Sequence, residues 1–287
     1  MRGLLCLLLS LALGSAPAAA ALNVVAAENF YGDVATQIGD TYVKVTSILS
    51  NPDQDPHLFE ADASTARAIA AAQIVIVNGA DYDPWMMKLL SASRSPSRQV
   101  INVADLMHRK TGDNPHVWYD PPTMPVLAKA LEESFTRLDP DHGAQYAARA
   151  AVFLDSLKPL NDKVAALRQA YAGTSVTATE PVFGYMAAAL GLKMRNERFQ
   201  LAMMNGTEPS ASDIIAFQND LTSHAVKLLI YNSQVSEALT EKMRTIAGQS
   251  GVPVVGVTET APSNAHFQDW MLSQLSKLEA GLSGKQP

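Results

Sequence analysis

Short apolar runs alternate along this chain with longer stretches that repeat at helical spacing. Leu22 to Ala27 reads as a buried strand, Phe30 to Gly39 as a helical region, and Thr41 to Leu49 as a second strand with period-two alternation. After a loop from Asn51 to Pro56, an Ala-rich segment from Ser64 to Ala72 predicts a helix. Ile74 to Asn78 then forms a near-continuous apolar strand, and Tyr82 to Leu90 returns to helix. Strands alternating with helices predict a parallel sheet with helices on both faces.

The pattern changes between Met124 and Ala172, where no strand is predicted. Asp139 stands as an N-cap with Pro140 at the first helical position. Tyr146, Ala150, Phe153, Leu154, Leu157 and Leu160 supply an apolar stripe that runs on through Val164, Leu167 and Tyr171 to a stop at Gly173. Pro159 is expected to bend this helix without ending it. Alternation then resumes, with strands at Thr174 to Ala178, Val226 to Tyr231 and Val252 to Val257. The helices of this half are expected at Val182 to Leu190, Ser212 to Thr222, Glu237 to Ala247 and Phe267 to Leu282. The fold class is therefore α/β, with two lobes of mostly parallel sheet joined by one long helix. The division expected is a leader over 1–21, an N-terminal lobe over 22–138, the linking helix over 139–172 and a C-terminal lobe over 173–287.

The leader follows from Arg2, the apolar run Leu4 to Leu13 and the small residues at 18–21. This is the pattern of a cleavable secretory signal peptide, cut near Ala21 or Leu22 into the periplasm. The run is too short to span a membrane, and no later stretch reaches that length. Cys6, the single cysteine, lies inside the leader without a lipid-attachment context, so disulfides and thiolate sites are excluded from the mature chain. What remains is long enough for two domains with their own cores. The formal charge of −6, one unit more negative without Arg2, has no Lys/Arg cluster and argues against nucleic acid or an anionic membrane as partner.

Two segments resemble each other: Asp55-Pro56-His57 and Asn114-Pro115-His116. In each, proline stiffens the approach to an imidazole, which lowers the entropy lost when the ring nitrogen is held on a metal. Ligands of parallel α/β sheets bind beyond the carboxyl ends of the strands. Two carboxylates meet that condition in the second half, Glu180 after Thr174 to Ala178 and Glu259 after Val252 to Val257. Two histidines and two carboxylates would nearly neutralise a divalent cation and fill its shell, which favours binding over catalysis. The alternatives at this point are a loop histidine after a turn-forming proline, and an acid placed by the helix dipole before Pro181.

The stretches DPHLFEADAS, NGADYDPWMMKLL, NPHVWYDPPT, TATEPVFGYMAAALGL, EPSASDI and VVGVTET occur in this order over nearly the whole mature length. In them the chain resembles the zinc/manganese/iron ABC-transporter solute-binding proteins. The resemblance implies a rigid linking helix, one metal in the interlobe cleft, and His57, His116, Glu180 and Glu259 as its ligands, Glu259 standing where the family usually has aspartate. It also implies a monomeric, non-enzymatic carrier of Zn2+, Mn2+ or Fe2+ that delivers its ion to a permease in the inner membrane. The oxygen-rich set and the lack of a His-rich loop between Glu60 and Pro115 lean toward manganese and iron. A secreted metallohydrolase using the same residues is the competing function, although no HExxH is present, and a metal-dependent adhesin is a third. His108, His142, His224 and His266 are read as ordinary surface or core histidines. Trp85, Trp118 and Trp270, with the Met86-Met87 and Met203-Met204 pairs, are read as packing residues. Tyr119, Asp120, Asn232 and Ser233 are candidates to hydrogen-bond the ligand residues.

Overall fold

The computed structural model describes residues 21–53 and 56–284, and of His57 only the backbone. The predicted leader therefore lies outside the described residues apart from its last position. The first half runs β1 (Leu22–Glu28), α1 (Asn29–Gly39), β2 (Val43–Leu49), α2 (Ala63–Ala71), β3 (Ile74–Val77), α3 (Pro84–Ala92), β4 (Gln99–Asn102) and α4 (Val103–Leu106). Three helices follow, α5 (Thr123–Leu138), α6 (Gly143–Ser156) and α7 (Lys158–Tyr171). The second half runs β5 (Ser175–Ala178), α8 (Gly184–Ala189), β6 (Lys193–Arg195), α9 (Glu197–Met204), α10 (Ala211–Thr222), β7 (Leu229–Asn232), α11 (Ala238–Gln249), β8 (Val254–Val257) and α12 (Phe267–Leu282).

Each half folds around a four-stranded parallel sheet, ordered β2-β1-β3-β4 in the first and β6-β5-β7-β8 in the second. The two sheets thus share one topology, and in each the chain reverses its direction of travel between the first and third strands. β3 is buried at all of its positions, as expected of a central strand covered on both faces. Alternation sorts β1 between two cores: Val24 and Ala26 join the large cluster with Phe30 and Trp118, while Val25 and Ala27 face Ile69, Val75 and Met86. Side-chain caps begin α2 and α10, where Asp62 accepts from Thr65 N at 2.8 Å and Ser210 accepts from Asp213 N at 3.2 Å.

Several features depart from the sequence expectation, the unexpected helices α4 and α9 among them. β4 and β6 are additional short strands at sheet edges, where little is buried and hydropathy leaves no clear trace. The linking helix is interrupted at Leu157, and Lys158 starts α7 with Pro159 in its first turn. Proline lacks the N–H for a bond to the fourth preceding carbonyl, so it begins a helix where it was expected only to bend one. Asp139 does not cap the helix; Oδ2 accepts from His142 Nδ1 and Tyr146 Oη, both at 2.7 Å.

The large core continues from one half into the other. Phe30 and Tyr119 of the first half pack against Trp270 of α12 at ring separations of 5.5 and 5.9 Å, and Tyr119 meets Phe183 at 5.2 Å. Polar contacts flank the rings: Tyr119 Oη donates to Thr258 O at 2.7 Å, and Phe267 N donates to Asp33 Oδ2 at 2.8 Å. Trp270→Ala is therefore expected to cost about 3–5 kcal/mol in denaturant unfolding while the transition stays single, because the halves share this core. His266 Nδ1 lies 2.8 Å from Asp33 Oδ1, and that bond raises the imidazole above its ordinary pKa of 6.5. A raised folded value places the contribution fully below the unfolded pKa and removes it as pH rises through the folded one. The melting-temperature difference between the wild type and His266→Gln should be largest near about pH 5.5 and shrink toward about pH 8.5.

Candidate metal centre

The carboxyl ends of both sheets open on the same buried crevice. In the first half, Asn114 and Pro115 lead into His116, which is the central residue of an inverse γ-turn with φ −76° and ψ 49°, closed by Val117 N donating to Pro115 O at 2.7 Å. The imidazole is fully buried, packed edge-on to Trp118 and Tyr82 at ring separations of 5.2 and 5.9 Å. Asn114 Oδ1 accepts from the His116 backbone N–H at 3.1 Å and lies 2.7 Å from Nδ1. Its amide nitrogen donates across the cleft to Pro181 O at 2.8 Å. These bonds fix which end of the amide is oxygen, so Nδ1 carries a proton and Nε2 is the ring nitrogen turned toward the second half.

In the second half, Glu180 stands just past β5 in the extended conformation favoured before proline, with φ −143° and ψ 161°. Glu259 stands two residues past β8. Its backbone N–H donates to Gln234 Oε1 at 2.5 Å, which also accepts from Thr260 N at 3.1 Å. Asn232, the last residue of β7, donates from Nδ2 to Glu180 Oε2 at 3.2 Å and to Glu259 Oε1 at 2.5 Å. Its own oxygen accepts from Gln234 N at 3.1 Å. One amide group therefore holds two buried carboxylates side by side.

The two halves meet where His116 Nε2 approaches Glu259 Oε2 at 3.2 Å, both side chains being fully buried. In a neutral imidazole with its proton on Nδ1, this contact would set two lone pairs against each other. A positive centre between them, a proton or a metal ion, turns the arrangement from repulsive to attractive. Tyr82 closes one wall, and its hydroxyl pKa is raised by burial and by the Glu259 carboxylate.

Of the four residues singled out from the sequence, His116, Glu180 and Glu259 lie in this crevice. His57 sits in a turn at Pro56–Leu58 beyond the carboxyl end of β2, and its imidazole lies outside the described residues. Among the described residues, no three histidine, cysteine, aspartate or glutamate side chains close into a ready-made metal set. Of the proposed supporting residues, Asn232 reaches the carboxylates directly. Tyr119 and Ser233 bond to backbone beside Glu259, and Asp120 pairs with Arg109 at 3.4 Å. The roles of Asn114, Gln234 and Tyr82 were not read from the sequence. Asn114 stands in the repeated motif, but its function depends on which carbonyl its amide reaches across the cleft. His142 bonds Asp139 and stacks on Tyr42, and His266 pairs with Asp33, both away from the crevice.

A putative metal-binding protein of Treponema pallidum (strain Nichols) is 23% identical over 281 residues, covering 90% of this chain and 86% of its own. The manganese-binding lipoprotein MntA of Bacillus subtilis (strain 168) is 26% identical over 229 residues, covering 75% of this chain and 72% of its own. Among solved structures, the periplasmic zinc binding protein TroA from Treponema pallidum superposes with a TM-score of 0.77 at 20% identity, covering 90% of this chain and 98% of its own. The model of the family described as zinc-uptake complex component A, periplasmic, matches residues 24–281, and the chain belongs to that family.

Proposed function

We propose that this protein captures a single divalent transition-metal ion, Zn2+, Mn2+ or Fe2+, between its lobes and delivers it to a cognate ABC permease in the inner membrane. The observation that carries this reading is the buried contact of His116 Nε2 with Glu259, with Glu180 held beside it by Asn232. A divalent cation there relieves the repulsion between two carboxylates and meets an imidazole lone pair already aimed at it. His57 is the fourth ligand in this reading, brought in by the turn after β2. The ion is cargo, and the residues around it bind and orient without reacting.

Family membership supports a carrier over a hydrolase, and the relatives include proteins named for zinc and for manganese. The division at residues 22–138, 139–172 and 173–287 belongs to the same proposal, with the ligands supplied by the first and last of these units. So do export through the 1–21 leader, action in the periplasm and a monomeric state. No helix among the described residues is long and apolar enough to cross a membrane.

The purified mature protein, refilled from an equimolar mixture of manganese, iron(II) and zinc, is expected to hold one equivalent of metal by elemental analysis. His116→Ala is expected to lose it; wild-type protein without stoichiometric metal would remove the basis of this proposal. Asn114→Ala frees the imidazole to rotate and change tautomer, and is expected to weaken metal binding by about 10–100-fold in chelator competition. Unchanged affinity in that variant would mean that Asn114 does not orient the ring.

A further inference from the structure

A third buried glutamate stands at the carboxyl end of the first sheet. Glu28 ends β1, is 1% exposed, and among the described residues neither carboxylate oxygen has a hydrogen-bond partner. The charged group that acts on it is another carboxylate, Asp83, and burial together with that charge pushes the Glu28 carboxyl well above the usual range. Asp83 is accounted for by the fold, since its oxygens accept from Asn78 N at 2.7 Å and Gly79 N at 3.0 Å and shape the loop after β3. Glu28 has no such duty, and an ionised carboxylate buried without a partner is strongly unfavourable.

The shared topology of the two sheets explains why it is there. In the first half β1 pairs with β3 in the register Val24↔Ile74 and Ala26↔Ile76, which carried forward sets Glu28 opposite Asn78. In the second half β5 pairs with β7 in the register Thr177↔Leu229 and Ala178↔Ile230, which carried forward sets Glu180 opposite Asn232. Glu28 and Asn78 thus occupy the places that Glu180 and Asn232 occupy in the other lobe. Both pairs lie at the point where strand order reverses, the position at which open parallel sheets bind their ligands. The lobes differ in one respect. Asn232 spends its amide on Glu180, whereas Asn78 spends its amide on Pro115 O at 2.9 Å, next to His116, and accepts from Tyr31 Oη at 2.7 Å.

Asn78, opposite Glu28, donates to Pro115 O and so ties this strand end to the backbone that carries His116. The Tyr82 hydroxyl feels the charges of Glu259 and Glu28 together, and its ring contacts those of His116 and Trp118. We propose that Glu28 is a further oxygen donor to the bound ion, the first-lobe counterpart of Glu180, and that it favours Mn2+ over Zn2+. The preference follows from coordination: zinc is satisfied by four ligands, while manganese accepts more oxygen donors and gains from an added carboxylate. This inference rests on the metal-capture reading above.

The test uses the mature protein, with Mn2+ and Zn2+ titrated separately against apo wild type, Glu28→Gln and His116→Ala. Glu28→Gln is expected to fold with an apo melting temperature no lower than wild type. Its Mn2+ affinity is expected to fall by about 100-fold and its Zn2+ affinity by less than about tenfold. Equal weakening for both metals, or none, overturns the proposal while leaving the capture reading intact, provided His116→Ala loses both ions. If wild type binds neither metal, the capture reading fails and this inference with it. A crystal structure of the Mn2+-loaded wild type needs no variant: a Glu28 oxygen within about 2.2 Å of the ion supports the assignment, and one beyond about 4 Å overturns it.

Discussion

His116 Nε2 and Glu259 Oε2 meet at 3.2 Å with both side chains fully buried, and the contact is attractive when a positive charge lies between them. Each partner is held from behind. Asn114 holds the imidazole ring, and Gln234 ties the Glu259 backbone to the end of β7, so neither group turns away. Asn232 presses a second carboxylate into the same space. Buried together, the two carboxylates and the imidazole gain from any positive charge placed among them, a proton or a metal ion.

What maintains this geometry is packing outside the crevice. The shared aromatic core of Phe30, Tyr119, Phe183 and Trp270 presses the two sheets together with their carboxyl ends facing. Directional bonds from Tyr119 to Thr258 and from Asn29 to Ala261 set the register of one lobe against the other beside Glu259. Ring packing supplies most of the adhesion, since buried apolar area is its source, and the hydrogen bonds select one arrangement among those that the rings allow.

The central strands were legible in the sequence because burial on both faces leaves an unbroken apolar run, as in Ile74–Val77. The edge strands Gln99–Asn102 and Lys193–Arg195 were not, because their pairing rests on backbone bonds that any residue makes. His116, Glu180 and Glu259 were visible as polar residues placed where strands or turns end. Glu28 satisfies the same rule at the end of β1, but in the sequence it falls between the expected strand Leu22 to Ala27 and the helix from Phe30 and belongs to no motif; only the register of β1 on β3 sets it opposite Asn78, as Glu180 stands opposite Asn232. Asn114 and Asn232 carry roles set by the orientation of an amide, and that orientation follows from tertiary contacts with Pro181 and Glu180.

Asn114 joins the two scales of this structure. Its oxygen holds the imidazole, its nitrogen holds the carbonyl of Pro181 just after Glu180, and its own carbonyl accepts from Tyr185 in the opposite lobe at 2.7 Å. A relative movement of the lobes must therefore strain the residue that holds the His116 ring, so lobe position and imidazole orientation are one variable. The large core opposes such movement because parting the lobes exposes the rings of Tyr119 and Trp270 to water. Under the proposed carrier role, an ion held between the lobes would be released most readily when something outside the chain compensates for that exposure, a requirement that a docked partner gripping both lobes would meet.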